Sequence, residues 1–387
     1  MATNASRVER VRVVFVGQSG SEAGGAERSM QLLLTHLPAR FDASVVLFED
    51  GAYAQELRER GFHVEVVALQ RELMAIQRER LPPGAALGTI GMLPRLAAAY
   101  RRLRADVVYT NTVKAHVLGA PAARVAGVPC IMHLRDILEG RARDVLRFVG
   151  RTCTIQRVAI SHAVAAALAL PKTTVVPNPI ALWAYDDLPA RADAREQLRL
   201  PQGVPLVGIL GRINRWKGHD RFIRIAAVIA AHSDAHFAIV GKPMFRDADF
   251  ADELHTLVTE YGLTERVHFV PWLDDPRTAY AALDVNANTS RSEPFGRTII
   301  EAAACGVPTV CFDEGGAPEA VGGSACGRVV PSDDEEAFAA AVRELLAGDR
   351  TASSAACLLH ARDFDATLHA ERIGAILDRV AWRVQRG

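Results

Sequence analysis

The chain has 387 residues, which is too many for one ordinary hydrophobic core, so its length predicts two domains. Hydrophobic residues make up 49% and charged residues 23%, as in soluble globular proteins, and the formal net charge of zero argues against a nucleic-acid binder that relies on a strong overall field. The chain has no apolar run of 18 residues, and residues 1–10 lack the apolar core of a signal peptide. We therefore expect a cytoplasmic protein whose membrane contact is at most peripheral, at the inner membrane face.

The first half of the chain alternates short aliphatic runs with helical patterns. The first run, residues 11–16, predicts a strand that ends at Gly17, and the next helix is predicted to begin near Gly25. Short aliphatic runs separated by amphipathic helices are typical of buried parallel strands. Further strands are predicted at 44–48, 63–67, 106–110, 130–134 and 158–161.

Residues 171–182 interrupt this alternation with three prolines and an asparagine, which predicts a linker. The second half then repeats the alternation, and residues 333–386 are almost entirely helical in pattern. Its predicted strands are 206–210, 236–240, 267–270, 284–288 and 309–312, and its predicted helices include 218–231, 250–261 and 276–283. Two doubly wound α/β domains with parallel sheets are the fold class that this pattern predicts. Ligands of such sheets bind at the carboxyl ends of the strands, so the loops after strands are the candidate sites.

A glycine-rich loop follows the first predicted strand and includes Gly17, Gly20, Gly24 and Gly25. Its spacing differs from G-x-G-x-x-G, so it does not predict a dinucleotide site. The loop is either a plain turn or a segment whose backbone approaches a diphosphate or an incoming acceptor closely. On the second interpretation Gly25 would contact the donor of a transferred group and Gly24 the acceptor.

In the first half, polar residues also follow three of the predicted strands. His133 lies at the carboxyl end of its strand, where a ligand is expected, and is the strongest functional candidate of this half. His162 follows the last of these strands and is more easily explained as a structural or solvated residue. Asn111 and Lys114 are weaker candidates for contacts with an acceptor.

The loop after residues 206–210 contains Gly211, Arg212, Lys217 and Gly218. A cation at the start of a helix gains nothing from the helix dipole, so two of them imply a bound anion, most simply a pyrophosphate. The chain has only four lysines, which indicates a need for a compact ammonium group at Lys217. Solvated loop charges are the alternative explanation.

Two carboxylates eight residues apart, Glu293 and Glu301, lie on either side of a Phe-Gly turn. The helix after the turn is predicted to begin at Gly296 or Arg297, with Glu293 on the incoming loop and Glu301 about one turn inside. Backbone N–H groups at a helix start suit a phosphate. The carboxylates suit the hydroxyl groups of a sugar and a ribose attached to that phosphate.

Two further turns follow strands of the second half. Gly241 and Lys242 could border the same ligand, although a plain turn explains them equally well. The pair Gly315 and Gly316 suits close approach to a ligand, and Glu319 is either a ligand contact or an ordinary helix-start residue.

The six cysteines are scattered, and no Cys/His cluster or H-E-x-x-H pattern occurs. This distribution predicts free thiols in a reducing compartment and no built-in metal site.

As a set, these motifs resemble the family 4 retaining glycosyltransferases. The residues that carry the resemblance are Gly24-Gly25, Gly211-Arg212, Lys217-Gly218, Glu293-Pro294-Phe295-Gly296, Glu301-Ala302, Gly306-Val307-Pro308 and Gly315-Gly316 with Glu319. The resemblance implies the GT-B fold, in which two Rossmann-like domains face each other across a cleft. It implies an acceptor domain over residues 1–178, a donor domain over 179–365, and a final helix over 366–387 that packs back on the first domain.

The resemblance also implies roles for individual residues. Arg212 and Lys217 would hold the donor diphosphate, Glu301 would bind the ribose, and Glu293 would bind the transferred sugar. His133 matches the histidine that such enzymes place near that sugar. The remaining implied donor contacts are Gly25, Gly211, Gly241, Pro294, Phe295, Gly296 and Arg297. Two positions depart from the common family pattern: Ala303 replaces a frequent Met, and Arg297 replaces a frequent apolar residue.

The implied activity is that of a retaining, metal-independent hexosyltransferase. It would move a hexose or related sugar from a UDP- or GDP-sugar to an acceptor hydroxyl, with no cofactor beyond the nucleotide sugar. The acceptor would be a carbohydrate, a lipid-linked sugar or a small molecule. A non-hydrolysing nucleotide-sugar epimerase and a non-catalytic nucleotide-sugar-binding protein are the alternatives. Residues 71–80 predict either a basic amphipathic flap over an acceptor or a membrane, or an ordinary exposed helix.

Overall fold

The computed structural model of the protein describes residues 10–21, 24–69, 91–243, 247–323 and 325–385. The chain forms two compact units. The first comprises Met1–Pro179 with Ala366–Gly387, and the second comprises Ile180–Asp365.

The first unit contains a seven-stranded parallel sheet with the order β3-β2-β1-β4-β5-β6-β7. Its strands are β1 (Val11–Val16), β2 (Phe41–Leu47), β3 (His63–Val66), β4 (Val107–Thr110), β5 (Cys130–Leu134), β6 (Gln156–Ala159) and β7 (Thr173–Val175). The order reverses between β1 and β4, which pair in parallel with Val16 opposite Thr110. The loops after these two strands therefore diverge at the point where doubly wound sheets bind ligands.

Six described helices connect these strands: α1 (Gly25–His36), α2 (Ala52–Glu59), α3 (Met92–Arg102), α4 (Val113–Ala126), α5 (Gly140–Cys153) and α6 (His162–Leu168). Local sequence sets where several of them begin. The Thr112 side chain accepts a hydrogen bond from the Ala115 N–H and begins α4, and Ser161 does the same for α6 through the Val164 N–H.

The second unit contains a six-stranded parallel sheet with the order β10-β9-β8-β11-β12-β13. Its strands are β8 (Leu206–Leu210), β9 (His236–Val240), β10 (Val267–Val270), β11 (Val285–Asn288), β12 (Thr309–Phe312) and β13 (Gly327–Val330). The order reverses between β8 and β11. Buried aromatic side chains such as Phe222, Phe338 and Phe237 of β9 share one core cluster with aliphatic side chains of this sheet.

The described helices of the second unit are α7 (Arg191–Gln197), α8 (His219–Ala230), α9 (Ala248–Glu260), α10 (Arg277–Ala282), α11 (Arg297–Ala304), α12 (Ala317–Val321), α13 (Glu335–Ala347) and α14 (Arg350–Ala361). Short 3₁₀ turns occur at Leu182–Tyr185, Arg215–Lys217 and Arg362–Phe364.

The final helix, α15 (Ala366–Gln385), returns to the first unit. Its buried residues Ile373, Leu377 and Val380 recur at helical spacing and join the core cluster that includes Val13 and Phe41. Burial of this apolar stripe is what holds α15 in the first unit.

The prediction of a linker over residues 171–182 is wrong for its first part. Thr173–Val175 forms β7, which pairs in parallel with β6, and the boundary between the units lies after Pro179. A short run of β-branched residues suits an edge strand, but the prolines on either side of this run led to the prediction of a linker. The strand β13 was also not predicted. The six cysteines form no disulfide, as the sequence predicts. None of the described helices combines the length and apolarity needed to span a bilayer.

Candidate functional site

The loop after β8 is held against the loop after β11. The Asn214 side chain accepts a hydrogen bond of 2.9 Å from the Lys217 N–H and caps the 3₁₀ turn Arg215–Lys217. Gly218 then adopts a left-handed conformation with φ of +72°, and a Cβ at this position would overlap the Thr289 carbonyl oxygen. The Thr289 hydroxyl in turn donates to the Gly218 carbonyl at 2.8 Å. A glycine is therefore required for the two loops to approach each other.

Gly218→Ala should destabilise the protein more than the same change at an open site. Gly203 has a similar φ of +73° but nothing within 4 Å of its potential Cβ, so Gly203→Ala adds only backbone strain. We expect urea denaturation to show a loss of ~1 kcal/mol for Gly203→Ala and a clearly larger loss for Gly218→Ala. Equal losses of unfolding free energy in the two variants would show that the Thr289 backbone moves to accommodate the added methyl group.

Lys217 and Glu293 form an ion pair that joins these two loops. The Lys217 Nζ lies 2.9 Å from the Glu293 Oε2, and the two side chains are only 17% and 7% exposed. The same ammonium lies 4.4 Å from the centre of the Trp216 ring. Since an ammonium has three N–H donors, Lys217 retains capacity for a further anionic partner. The pair places opposite charges together at the strand-order reversal between β8 and β11.

Packing against the Glu293 backbone accounts for the double glycine at 315–316. Gly315 has φ of +64°, and a Cβ there would overlap the Glu293 backbone. The Gly316 N–H donates to the Glu293 carbonyl at 2.6 Å. These glycines admit the backbone that carries Glu293, and so they help to position its carboxylate; their close approach to a ligand stays a prediction.

The helix α11 begins where the sequence predicts. Gly296, with φ of +98°, is its N-cap residue, and Arg297 is its first residue. Phe295 is buried, with its ring 5.8 Å from that of Phe364, and Pro294 precedes it. This buried aromatic side chain anchors the turn, so the N–H groups of the first turn of α11 have a fixed direction.

Glu301 is held by one donor on each carboxylate oxygen. Arg297 Nη2 donates to Oε1 at 3.0 Å, and the Tyr280 hydroxyl donates to Oε2 at 3.1 Å. Burial and then the Glu301 charge raise the pKa of Tyr280 well above its usual value, so its hydroxyl remains a donor. A carboxylate has about four acceptor sites, so both oxygens can still accept bonds from ligand hydroxyl groups.

Other candidates of the second unit lie at the same edge of the sheet. Arg212 is exposed directly after β8 and Gly211. A Cβ at Gly241 would overlap the Gly211 carbonyl oxygen, so contact between two neighbouring loops explains this glycine without a ligand. The Lys242 Nζ lies 5.9 Å from the ring centre of Trp272. Glu319 occupies the first turn of α12.

In the first unit, Arg135 is a candidate that the sequence prediction missed. It follows β5 and is buried, and its Nε donates to the Asn111 Oδ1 at 2.8 Å and its Nη1 to the Asn178 Oδ1 at 2.6 Å. The Asn111 amide also donates to the Ala26 carbonyl at 3.0 Å. Asn111 and Arg135 therefore meet at the strand-order reversal between β1 and β4. The signal available in the sequence was an Arg directly after a predicted strand.

His133, whose contact with a transferred sugar stays a prediction, is buried in this structure. Its side chain is 0% exposed, and its Nδ1 lies 2.7 Å from the Tyr109 hydroxyl and 3.3 Å from Arg135 Nη2. Its ring stacks at 6.2 Å on that of His369 from α15. His133 thus lies beneath the ligand edge of the sheet, where it supports Arg135.

Three buried histidines of the first unit should make its stability depend on pH. Burial, reinforced by the Arg135 charge, lowers the pKa of His116 and of His369 to about 3 and lowers the pKa of His133 well below its usual value. The unfolded chain therefore binds more protons below its histidine pKa of about 6.5. Stability is complete above that pH and is lost as the pH falls, at up to about 1.4 kcal/mol per pH unit for each histidine.

We expect the urea midpoint at pH 5 to lie well below that at pH 7.5. His116→Asn should reduce this difference, whereas the same change at the exposed His162 should leave it unaltered. Equal midpoints at both pH values would contradict neutral burial of these rings.

The glycine-rich loop after β1 has a mixed explanation. A Cβ at Gly20 would overlap the Glu49 carbonyl oxygen, so this glycine serves packing. The Gly24 N–H donates to the Glu27 carboxylate at 3.1 Å at the start of α1, and Gly25 is the exposed first residue of that helix. Lys114 is half-buried in the first turn of α4. Residues 22 and 23 of the loop, and the predicted flap at 71–80, lie outside the described residues.

Within the part of the chain that the structure describes, no group of three or more His, Cys, Asp or Glu residues has the geometry of a metal site.

Both halves of the chain match known sequence families. Residues 190–356 match the family described as "Glycosyl transferases group 1", and residues 23–183 match "Glycosyltransferase Family 4". The D-inositol 3-phosphate glycosyltransferase of Mycolicibacterium gilvum is 36% identical over 176 residues, which are 45% of this chain and 39% of that protein. The enzyme of the same name from Thermobispora bispora is 29% identical over 338 residues, 79% of this chain and 77% of that protein. The match to the M. gilvum relative thus spans about two fifths of its length.

Among solved structures, HepE of Anabaena in complex with UDP has a TM-score of 0.81 and 29% sequence identity, over 95% of this chain and 100% of that chain. Other crystal structures of HepE contain UDP and glucose, or UDP-glucose. This likeness and the two parallel-sheet units confirm the fold class predicted from the sequence, GT-B.

Proposed function

Because the chain belongs to the group 1, family 4 glycosyltransferases, we propose that it transfers a hexose from a nucleoside diphosphate sugar to an acceptor hydroxyl. The observation that carries this proposal is the Lys217–Glu293 contact at the strand-order reversal of the second unit. It puts an ammonium suited to a phosphate beside a carboxylate suited to sugar hydroxyls.

The donor is proposed to be a UDP-sugar, with UDP-glucose as the first choice. HepE, which aligns over nearly the whole of this chain, has been crystallised with UDP and with UDP-glucose. A GDP-sugar is the competing donor, and a direct comparison of the two nucleotides decides between them.

Lys217, Arg212 and the first turn of α11 stabilise the diphosphate as it leaves. Cleavage of the sugar–phosphate bond moves its electron pair onto a phosphate oxygen, so negative charge develops there. Fixed positive groups and helix-start N–H donors stabilise such charge, typically by roughly 3 kcal/mol for each donor. These groups take over the task that a divalent metal performs in other transferases, and the proposed reaction therefore needs no metal or further cofactor.

The two carboxylates orient the donor. Glu301, held by Tyr280 and Arg297, binds the ribose hydroxyl groups through its remaining acceptor sites. Glu293 accepts from hydroxyl groups of the sugar while it keeps Lys217 in place. Each carboxylate is held by neighbours before the donor arrives, which limits the entropy lost on binding.

The transfer retains the anomeric configuration by attack on the face that the diphosphate leaves. The acceptor oxygen forms the bond to the anomeric carbon as the bond to the phosphate oxygen breaks. The acceptor proton passes to that departing phosphate oxygen, so no side-chain nucleophile is required. Isolation of a sugar bound covalently to a native side chain would contradict this route.

The acceptor is proposed to meet the first unit at the edge formed by Asn111 and Arg135. Lys114 lies three residues after Asn111, and Gly24 lies two residues before Ala26, whose carbonyl accepts a hydrogen bond from Asn111. The relatives from M. gilvum and T. bispora are D-inositol 3-phosphate glycosyltransferases. A phosphorylated polyol is therefore the first acceptor to test, ahead of carbohydrate, lipid-linked and small-molecule alternatives. We place the reaction in the cytoplasm, where nucleotide sugars are made.

A panel of UDP- and GDP-sugars, with and without acceptors, tests this function. We expect release of UDP that depends on the acceptor, and a glycosylated product. An isomerised donor would identify an epimerase instead, and binding without turnover of any donor would identify a binding protein. Either of these results would overturn the proposal.

A further inference from the structure

Formal charge is divided unequally between the two units. Residues 1–179 with 366–387 contain 27 Lys and Arg and 17 Asp and Glu, whereas residues 180–365 contain 18 and 28. The formal net charges are therefore +10 and −10, and they cancel over the whole chain. A net charge of zero thus conceals a strongly basic first unit.

The excess of basic residues is concentrated on three consecutive helices. The sequences of α3, α4 and α5 contain nine Lys or Arg and a single acidic residue, Asp144. Their carboxyl ends are joined by hydrogen bonds: Arg101 Nη2 donates to the Val125 carbonyl at 2.7 Å, and Arg124 Nη1 donates to the Thr152 carbonyl at 3.0 Å. The acceptors are backbone carbonyls, so these bonds leave the positive charges of both guanidinium groups uncompensated.

Apolar side chains are exposed among these arginines. Phe148 is 68% exposed on α5, Val125 is 54% exposed on α4, and Ile155 just after α5 is 37% exposed. The Thr152 hydroxyl donates to the Phe148 carbonyl at 2.8 Å, which places Phe148 one turn from the α4–α5 contact. We refer to this surface as the basic–apolar patch. Its members are Arg101, Arg124, Val125, Phe148, Arg151 and Ile155.

The basic–apolar patch lies away from the substrate edge of the first unit. Helices that connect parallel strands end where the next strand begins, so the carboxyl ends of α3, α4 and α5 lie at the edge opposite to the strand carboxyl ends. Asn111 and Arg135 follow β4 and β5 and lie at those carboxyl ends. The patch therefore has no part in binding the donor or the acceptor sugar.

We propose that the basic–apolar patch docks the protein on the surface of an anionic phospholipid bilayer. Arginines attract acidic headgroups, while an exposed phenylalanine and aliphatic side chains insert at the boundary with the acyl chains. Arginine stems cover apolar surface and keep their charge at headgroup level, so the two kinds of side chain act together. An acidic protein would match the charge, but exposed apolar residues scattered between the arginines suit a fluid bilayer better than a fixed partner surface. The proposal does not depend on the transferase activity.

Flotation of the 387-residue protein with vesicles tests the proposal. We expect binding to vesicles of phosphatidylcholine with a quarter phosphatidylglycerol, no binding to pure phosphatidylcholine, and release by high salt. Arg124→Gln with Arg151→Gln should weaken binding by about fivefold for each arginine removed. Phe148→Ser, which alters an exposed side chain, should weaken it without a change in net charge.

A charge-matched pair elsewhere on the same unit is the control. Arg58→Gln with Arg60→Gln removes the same charge from α2 and its carboxyl-terminal flank, and it should leave vesicle binding within about twofold of the unmodified protein, since the charge of the patch decides binding. Three results would each overturn the proposal. The two arginine pairs could lose vesicle affinity equally, the unmodified protein could fail to bind the anionic vesicles, or Phe148→Ser could leave the affinity unchanged. Binding to polyglutamate in the absence of vesicle binding would assign the patch to an acidic protein and would overturn it too. Circular dichroism melting curves establish that each variant is folded.

Discussion

Lys217→Ala should reduce the rate of glycosyl transfer by roughly 10²–10³-fold, the usual effect of removing one preorganised donor from a developing oxyanion. Lys217 lies at the strand-order reversal of the second unit, where its ammonium is held 2.9 Å from Glu293. Its ammonium would face the departing diphosphate, so its loss should lower kcat more than it raises KM. Release of UDP from UDP-glucose with an acceptor present measures the effect.

Two further variants separate this effect from loss of folding. Lys217→Ala alone leaves the buried Glu293 carboxylate without its ammonium, which is itself destabilising. Lys217→Ala with Glu293→Gln removes both charges and should recover stability but not activity. Lys242→Ala is the matched lysine control at the same sheet edge and should retain most activity. Recovery of activity in the double variant would mean that Lys217 acts only on the fold.

Glu301→Gln should abolish most of the protein's preference for UDP over a UDP analogue that lacks the ribose 2′- and 3′-hydroxyl groups. In the native protein we expect UDP to bind about 10- to 100-fold more tightly than 2′,3′-dideoxy-UDP, since hydrogen bonds to a charged group contribute about 1.5–3 kcal/mol. The glutamine loses one acceptor oxygen and the charge, so the preference should fall to a few-fold. Isothermal titration calorimetry with both nucleotides measures it.

Tyr280→Phe provides a graded version of the same test. The hydroxyl that it removes donates to the Glu301 Oε2 at 3.1 Å and touches no proposed ligand atom. The variant should weaken binding of UDP while it leaves binding of the dideoxy nucleotide unchanged. If Glu301→Gln and Tyr280→Phe weaken the binding of both nucleotides equally, the Glu301 carboxylate does not bind the ribose hydroxyl groups and only supports the fold.

The sequence predicted the parts of the fold that local pattern determines. Aliphatic runs identified most strands within one or two residues, and the turn before α11 placed Glu293 on a loop and Glu301 inside the helix, as observed. These features depend on hydrophobic spacing and on backbone preferences of glycine, which a single sequence displays. The three-residue strand β7 was missed because its flanking prolines gave a stronger signal than three β-branched residues.

The roles of several glycines and of His133 depend on tertiary contacts, which a single sequence does not display. A glycine that admits a ligand looks the same in sequence as one that admits another backbone, and the structure shows a neighbouring backbone close to Gly20, Gly241 and Gly315. His133 stands at the expected edge of its sheet, but every residue of β5 is buried, so no alternation revealed its orientation. Its stacking on His369 joins positions that are far apart in the chain.

A crystal structure of the protein with UDP tests most directly whether the loop after β8 and the first turn of α11 hold the leaving group. We expect a diphosphate oxygen within hydrogen-bond distance of the Lys217 Nζ and the ribose hydroxyl groups on Glu301. Density for UDP at any other place, or a diphosphate with no contact to Lys217 and α11, would contradict the proposed site.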